Sequence, residues 1–543
     1  MIFPDGQTYS ADSDVCIVGA GPVGLALALK LEALGLTVTV LERGSGEASV
    51  ADQPGDIQFE NSHHALSQAV SRPGIGGASA LWGGRCVPFD DLDFEPREHV
   101  AHSGWPISHN EVRRYYPEAL EFLTCNTDEV PTATIGQHDP AVVADAVERW
   151  SKHPALGPYY AERLAKSKNI RILTSASVAE IILDEARNQV KSLKVMHNGR
   201  EIEVAGKVFI LAGGGLENAR LLLALQQNHP DMAKSFGASL GRFYQGHLTG
   251  YIAVLKFLDP KAARALSFRT DAKGYSYRQR LQIAPDVQTE RKLLNTVFWI
   301  DALSIADPAH GSGALSLCYM FLAASRLYRL VSKGLAPTAR GLGNIDKAQH
   351  WRNIRDDTGW PADLLQAVKN LFERRSPAHQ TLFNPKGRYL LRYHAEQVPN
   401  PESRVSLTPQ TQQGHVQALS VDYRVVDQDI ESVLNSHQLL DDWLRGNKIG
   451  YLEYLHQPVR RRQAVVDQAF DGYHQIGLSR MADDPAEGPV DKNCRLHGLS
   501  NLYLGGSGVF PTGGHANPTL PAVALALRLA EHVRDEFKAA SAA

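Results

Sequence analysis

Val15-Cys16-Ile17-Val18-Gly19-Ala20-Gly21-Pro22-Val23-Gly24 is the stretch that decides the fold. A continuous apolar run ending in glycine predicts a strand buried on both faces of a parallel sheet. Leu25 to Leu34 then reads as a helix closed by Gly35, and Thr37-Val38-Thr39-Val40-Leu41-Glu42 as a second strand ending in an acid, followed by Arg43. Glycines in a G-x-G-x-x-G spacing between strand and helix let the backbone approach a pyrophosphate at the helix N-terminus. An acid about 20 residues further on can accept from ribose hydroxyls. This βαβ unit predicts a dinucleotide site that uses Gly19, Gly21, Pro22, Val23, Gly24, Glu42 and Arg43.

The same logic returns further along. Arg171 to Thr174 and Ala176-Ser177-Val178 precede a turn at Asn198-Gly199, and Val208 to Ala212 runs into Gly213-Gly214-Gly215 and a helix from Ala219 to Leu225. A strand meeting three glycines and a helix predicts a second wall of the nucleotide site at Val178, Ala212 and Gly213, with Gly215 read as a tight turn. From about 250 to 470 the pattern changes to alternating runs such as Leu281-Gln282-Ile283-Ala284 and a mostly helical stretch from Ala314 to Phe372. These predict an α/β protein: a Rossmann-type domain in 1–250, with a cofactor-contacting segment at 72–90, and an α+β substrate domain on a mixed sheet in 251–470. Residues 471–543 return to the first domain, with a strand at Asn501 to Leu504 and a helix from Thr519 to Val533.

Composition narrows the function classes. The 543 residues are 43% hydrophobic and 21% charged, and Lys+Arg 56 against Asp+Glu 59 leaves −3, so no bulk field selects nucleic acid or an anionic membrane. Five scattered cysteines without a C-x-x-C indicate neither a disulfide framework nor zinc, and point to a reducing compartment, the cytoplasm. Met1 to Asp14 shows no secretory signal, and the most apolar stretch, Ala314 to Ala324, is stopped by Arg326 before spanning length. No metal is expected: His63 and His64 form a pair with no third ligand at metal spacing.

Four blocks in order carry a resemblance: the glycine fingerprint with Glu42; Gly76-Gly77-Ala78-Ser79-Ala80-Leu81-Trp82-Gly83-Gly84; Leu240-Gly241-Arg242-Phe243-Tyr244 with His247; and a C-terminal block. That last block holds His474, Cys494 to Gly498, Asn501 to Ser507 and Ala516-Asn517-Pro518-Thr519-Leu520. Together they resemble the glucose-methanol-choline (GMC) flavin oxidoreductases, in the branch of pyranose oxidases and sugar-acid dehydrogenases. The resemblance implies FAD held by the fingerprint, by Gly77, Ser79, Trp82, Gly83 and Gly84, and by Gly506, Ser507, Asn517, Pro518 and Thr519. It also implies non-covalent binding, because Leu81 stands where some pyranose oxidases carry the histidine that links the flavin.

On the residues alone, His474 reads as a structural histidine and Asn517-Pro518 as a helix cap. The resemblance makes His474 the base and Asn517 its partner in oxidising a CH–OH group of a sugar, polyol or similar alcohol, with His515 lining the substrate pocket. The electron acceptor stays open among oxygen, a quinone and a protein, as does the oligomeric state. A non-redox lyase using the same histidine as acid or base is the alternative.

Overall fold

The computed structural model describes residues 13–45, 57–61, 63–136, 139–236, 239–323, 347–365, 383–409 and 417–542. The quoted stretch forms the strand Ser13–Val18 and the helix Pro22–Ala33, which has proline in its first turn and ends before Gly35 at φ +91°. Two glycines are required by contact. A Cβ at Gly19, whose φ is +102°, would lie 2.6 Å from the Ala212 carbonyl oxygen, and one at Gly24 would lie 1.9 Å from that of Gly19.

A seven-stranded sheet forms the first layer. Its strands run side by side in the order Ile170–Leu173, Val38–Leu41, Ser13–Val18, Arg200–Leu211, Val190–His197 and Ala176–Leu183, and Leu502–Leu504 also pairs with Arg200–Leu211. The first four and Leu502–Leu504 are parallel, and the last two add an antiparallel meander. The helix Thr519–Ala542 packs on Pro22–Ala33, so the end of the chain closes over its beginning.

The second layer is an eight-stranded sheet in the order Gly450–Tyr454, His247–Phe257, Arg388–Glu396, Thr296–Asp301, Ser276–Ile283, Val142–Trp150 and Arg85–Cys86, with Arg269–Thr270 against Ser276–Ile283. All its pairings are antiparallel, so parallel and antiparallel pairing mix in the first sheet instead. Arg85–Cys86 and Val142–Trp150 belong to it although they precede 250, so the expected boundary at 250 does not follow the sheets. The chain enters the second layer at 85 and at 142, long before it enters again at 247, a long-range pairing that no local pattern reports.

One face of this sheet, with Leu281, Ile283, Phe298, Ile300, Leu391 and Tyr393, forms an apolar core with the helices Asp427–Gly446 and Pro458–Gln468. The opposite face carries Arg278, Arg280 and Gln282, and is buried as well. Of the helical stretch expected from Ala314 to Phe372, the helices Gly313–Ala323 and Lys347–Asp356 pack on each other, while 324–346 and 366–382 lie outside the described residues. Among the described residues no helix is long and apolar enough to cross a membrane.

Candidate active site

A cleft between Rossmann strands and returning C-terminal segments gathers most of the predicted cofactor residues. Gly19, Gly21, Pro22, Val23, Glu42 and Arg43 line one side, and Val178, Ala212, Gly213, Gly506, Ser507, Pro518 and Thr519 the rest, with Gly77 between. Three helix N-termini open on it, those of Pro22–Ala33, Gly215–Asn228 and Thr519–Ala542. The first turn of each carries about half a positive charge, and at Gly215–Asn228 the Leu216 amide donates to Gln475 Oε1 at 2.9 Å. A Cβ at Gly21 or Gly506 would meet no atom within 4 Å, and Gly21 caps its helix with no side-chain hydrogen bond. Open glycines at uncapped helix ends fit the pyrophosphate of a dinucleotide.

Several expected contacts take other roles. Gly24 packs helix against strand and does not line the cleft. Ser79 is buried, donating to Gly76 O at 2.6 Å and accepting from Leu156 N at 3.2 Å, and the Trp82 indole donates to Pro154 O at 2.8 Å. Gly83 also lies off the cleft, and Gly84, φ +76°, sits against Ser151. Ser79, Trp82 and Gly84 anchor the segment on residues 151–156. Glu42 lines the cleft, but its carboxylate already accepts from the Ala20, Gly44 and Gly74 amides at 2.9, 2.8 and 2.9 Å, so it first fixes the loops around the cleft.

Beyond the cleft, His474 and Asn517 meet: the Asn517 amide nitrogen lies 3.0 Å from His474 Nε2. The polarity of the surrounding hydrogen bonds fixes the state of each group. Asp471, a carboxylate, accepts a hydrogen bond from His474 Nδ1–H at 2.9 Å, which leaves Nε2 with its lone pair toward Asn517. Arg85 donates to the Asn517 amide oxygen, so the Asn517 NH₂ must face His474. His247 Nε2 lies 3.0 Å from the Gly514 carbonyl and must donate, so its Nδ1, 2.9 Å from His474 Nδ1, is an acceptor.

Burial, with His474 next, pushes the His247 pKa down to about 3, and His394, stacked on His247 at 4.3 Å, lies well below the ordinary histidine range for the same reason. Both rings are therefore neutral. Burial opposes the charge of Asp471, but His474 and His247 beside it hold its carboxyl below the usual value.

His247, His394 and His474 offer nitrogens close enough together for a metal, as do Asp90, Asp93 and His515 with their own donor atoms. In the first group Gly514, Asp471 and Asn517 already engage His247 Nε2 and both nitrogens of His474, an arrangement suited to moving a proton. His515 is fully buried with neither ring nitrogen hydrogen-bonded, and Asp90 lies 3.4 Å from its Nδ1. Burial, then Arg280 and Arg85, keeps it neutral.

Asp471, Arg85 and His394 were not among the sequence candidates, and His247 entered only through the resemblance. An acid three residues before a candidate base was the available signal for Asp471. Nothing local connects Arg85 to Asn517.

Residues 399–526 match the family model described as GMC oxidoreductase, and 14–55 match one described as FAD dependent oxidoreductase. The 6'''-hydroxyparomomycin C oxidase of Streptomyces lividus is 22% identical over 98% of this chain and 93% of its own length. The 2-methyl-1,2-propanediol dehydrogenase of Mycolicibacterium austroafricanum is 20% identical over 98% and 97%. An FAD-dependent oxidoreductase from Chaetomium thermophilum shares the fold, with TM-score 0.55 and 16% identity over 97% of this chain and 100% of that one.

Proposed function

We propose that this chain, which belongs to the glucose-methanol-choline oxidoreductases and takes FAD as its cofactor, oxidises the CH–OH group of a sugar, polyol or similar polar alcohol with His474 as the base. The observation that carries the reading is the fixed lone pair on His474 Nε2, paired with a donor on Asn517. When bound, FAD supplies the two-electron acceptor for the hydride of the carbinol carbon. His474 and Asn517 supply the rest: a hydroxyl that displaces their direct hydrogen bond donates its proton to Nε2 and accepts from the Asn517 amide. Asp471 then faces the imidazolium and stabilises it. His247, held neutral, lies against His474 without adding a second positive charge.

Support for the polar-alcohol class comes from relatives named as a hydroxyparomomycin oxidase and a propanediol dehydrogenase; one being an oxidase and the other a dehydrogenase keeps the acceptor open among oxygen, a quinone and a protein. Support for the cytoplasm comes from the five cysteines, all buried and free.

The test is anaerobic mixing with a panel of alcohols, reading the loss of the yellow flavin band. The wild type should bleach, and His474→Ala with FAD bound should do so about 10²–10⁴-fold more slowly. Asn517→Ala, which loses positioning but keeps the base, should lose less. A folded His474→Ala holoenzyme that bleaches at the wild-type rate excludes the base assignment. Turnover without bleaching selects the lyase chemistry.

A further inference from the structure

We propose that Arg280 binds an anionic group of the substrate, a carboxylate or phosphate carried on the same molecule as the reacting hydroxyl. This rests on the alcohol-oxidation reading above and narrows it to a substrate class. In the strand Ser276–Ile283, Arg278, Arg280 and Gln282 share one face that is polar and still buried, while Leu281 and Ile283 point the other way into the apolar core. Register continues this face onto Glu148, which pairs with Arg278, and onto Arg392, which pairs with Trp299. Arg85 completes it and reaches Asn517.

The charges on this face do not balance. Arg85, Arg278, Arg280 and Arg392 are four cations, and the carboxylates that pair with any of them are two, Glu148 and Asp301. Glu148 is taken up by Arg85 and by Arg278, whose Nε and Nη2 lie 3.2 and 2.6 Å from it. Arg278 also lies over the rings of Trp150, Phe268 and Trp299, which marks it as a structural cation.

Arg280 is different. It is 3% exposed, donates to Gln282 Oε1 at 3.0 Å, keeps a buried Nε with no partner, and has no carboxylate within ion-pair distance among the described residues. Glu148, which feels the Arg280 charge, is already held by Arg85 and Arg278, and Asp90 is reached only through the Gln282 amide. An arginine keeps its charge at any working pH, and a buried charge persists only when something compensates it. The cofactor phosphates do not fill that role, since Arg280 is not part of the glycine cleft. Arg280 is linked through Gln282 and Asp90 to the buried His515, two residues from Asn517, and its donors suit a carboxylate or phosphate of a molecule whose hydroxyl lies at His474.

The test measures binding to the His474→Ala holoenzyme, where chemistry is slow, by calorimetry with gluconate, glucuronate, glucose 6-phosphate and glucose. At least one anion should bind at least ~10-fold more tightly than glucose, and which of them does so distinguishes carboxylate from phosphate. Adding Arg280→Gln should erase that preference and leave glucose unchanged; Arg280→Lys, which keeps the charge without the fork, should retain part of it. Anions no tighter than glucose, or a preference that survives Arg280→Gln, overturn the proposal. If Arg280→Gln does not fold, the preference of the protein that keeps Arg280 decides alone. Failure of the alcohol-oxidation reading looks different: anions bind through Arg280, yet none bleaches the wild-type flavin.

Discussion

Replacing Asp471 by asparagine tests the proton-transfer geometry at its least replaceable point. The two carboxylate oxygens face donors only: Oδ2 accepts from His247 N at 2.6 Å and His474 Nδ1 at 2.9 Å, and Oδ1 from Tyr473 N at 2.8 Å and His474 N at 3.3 Å. An amide must turn its NH₂ toward one of these pairs. Toward Oδ2 it opposes the His474 Nδ1 proton and forces the other tautomer, which removes the lone pair from Nε2. Toward Oδ1 it leaves the two amides of the turn without an acceptor, at about 1–3 kcal/mol for each buried group.

In both orientations the negative charge facing the imidazolium is lost. At an effective dielectric near 20 a charge pair about 4 Å apart is worth about 4 kcal/mol, or roughly 10³-fold in rate. The expected result is therefore a stable FAD-bound variant whose anaerobic flavin bleaching is slowed between about 10²- and 10⁴-fold.

The pH dependence of stability has a definite sign. Asp471 is held below its ordinary value, so its contribution is complete above the unfolded carboxyl pKa near ~3.9 and is lost as pH falls through the lower native value. The stability gap between wild type and Asp471→Asn should thus be widest near neutrality and narrow in acid. A folded Asp471→Asn holoenzyme that bleaches within about threefold of the wild-type rate would refute the orienting role.

Acid precipitation should release intact FAD into the supernatant, because Leu81 offers no nucleophile; yellow colour retained by the denatured pellet refutes non-covalent binding. Gly21→Val places a side chain in open space at the mouth of the cleft, so it should keep the melting temperature of the apoprotein and weaken FAD by at least ~10-fold in a fluorescence titration. Gly24→Ala puts a carbon 1.9 Å from the Gly19 carbonyl oxygen, so it should instead lower the melting temperature, by an overpacking cost of about 1–3 kcal/mol. Equal effects of the two on FAD affinity and stability would contradict the division between a cofactor-facing and a packing glycine.

What the sequence made legible was local. The Val15 to Gly24 run, the acid at Glu42 and the glycines after Ala212 carry their meaning within a few residues, since strand burial, helix entry and backbone approach are all set at that range. The site is assembled across 227 residues between His247 and His474 and 432 between Arg85 and Asn517, and no periodicity reports such a meeting. The arginine face shows why a pattern can mislead even when it is seen. Arg278-Gln279-Arg280-Leu281-Gln282-Ile283 alternates as a strand with one face in water would, and that face becomes an interior wall because segments distant in the chain lie against it, Asp90 reaching Gln282 and Phe268 packing on Arg278. Alternation fixes which side chains share a face, while tertiary packing decides whether that face meets water. The row of charges lies inside, and at Arg280 a charged ligand does the work that solvent would otherwise do.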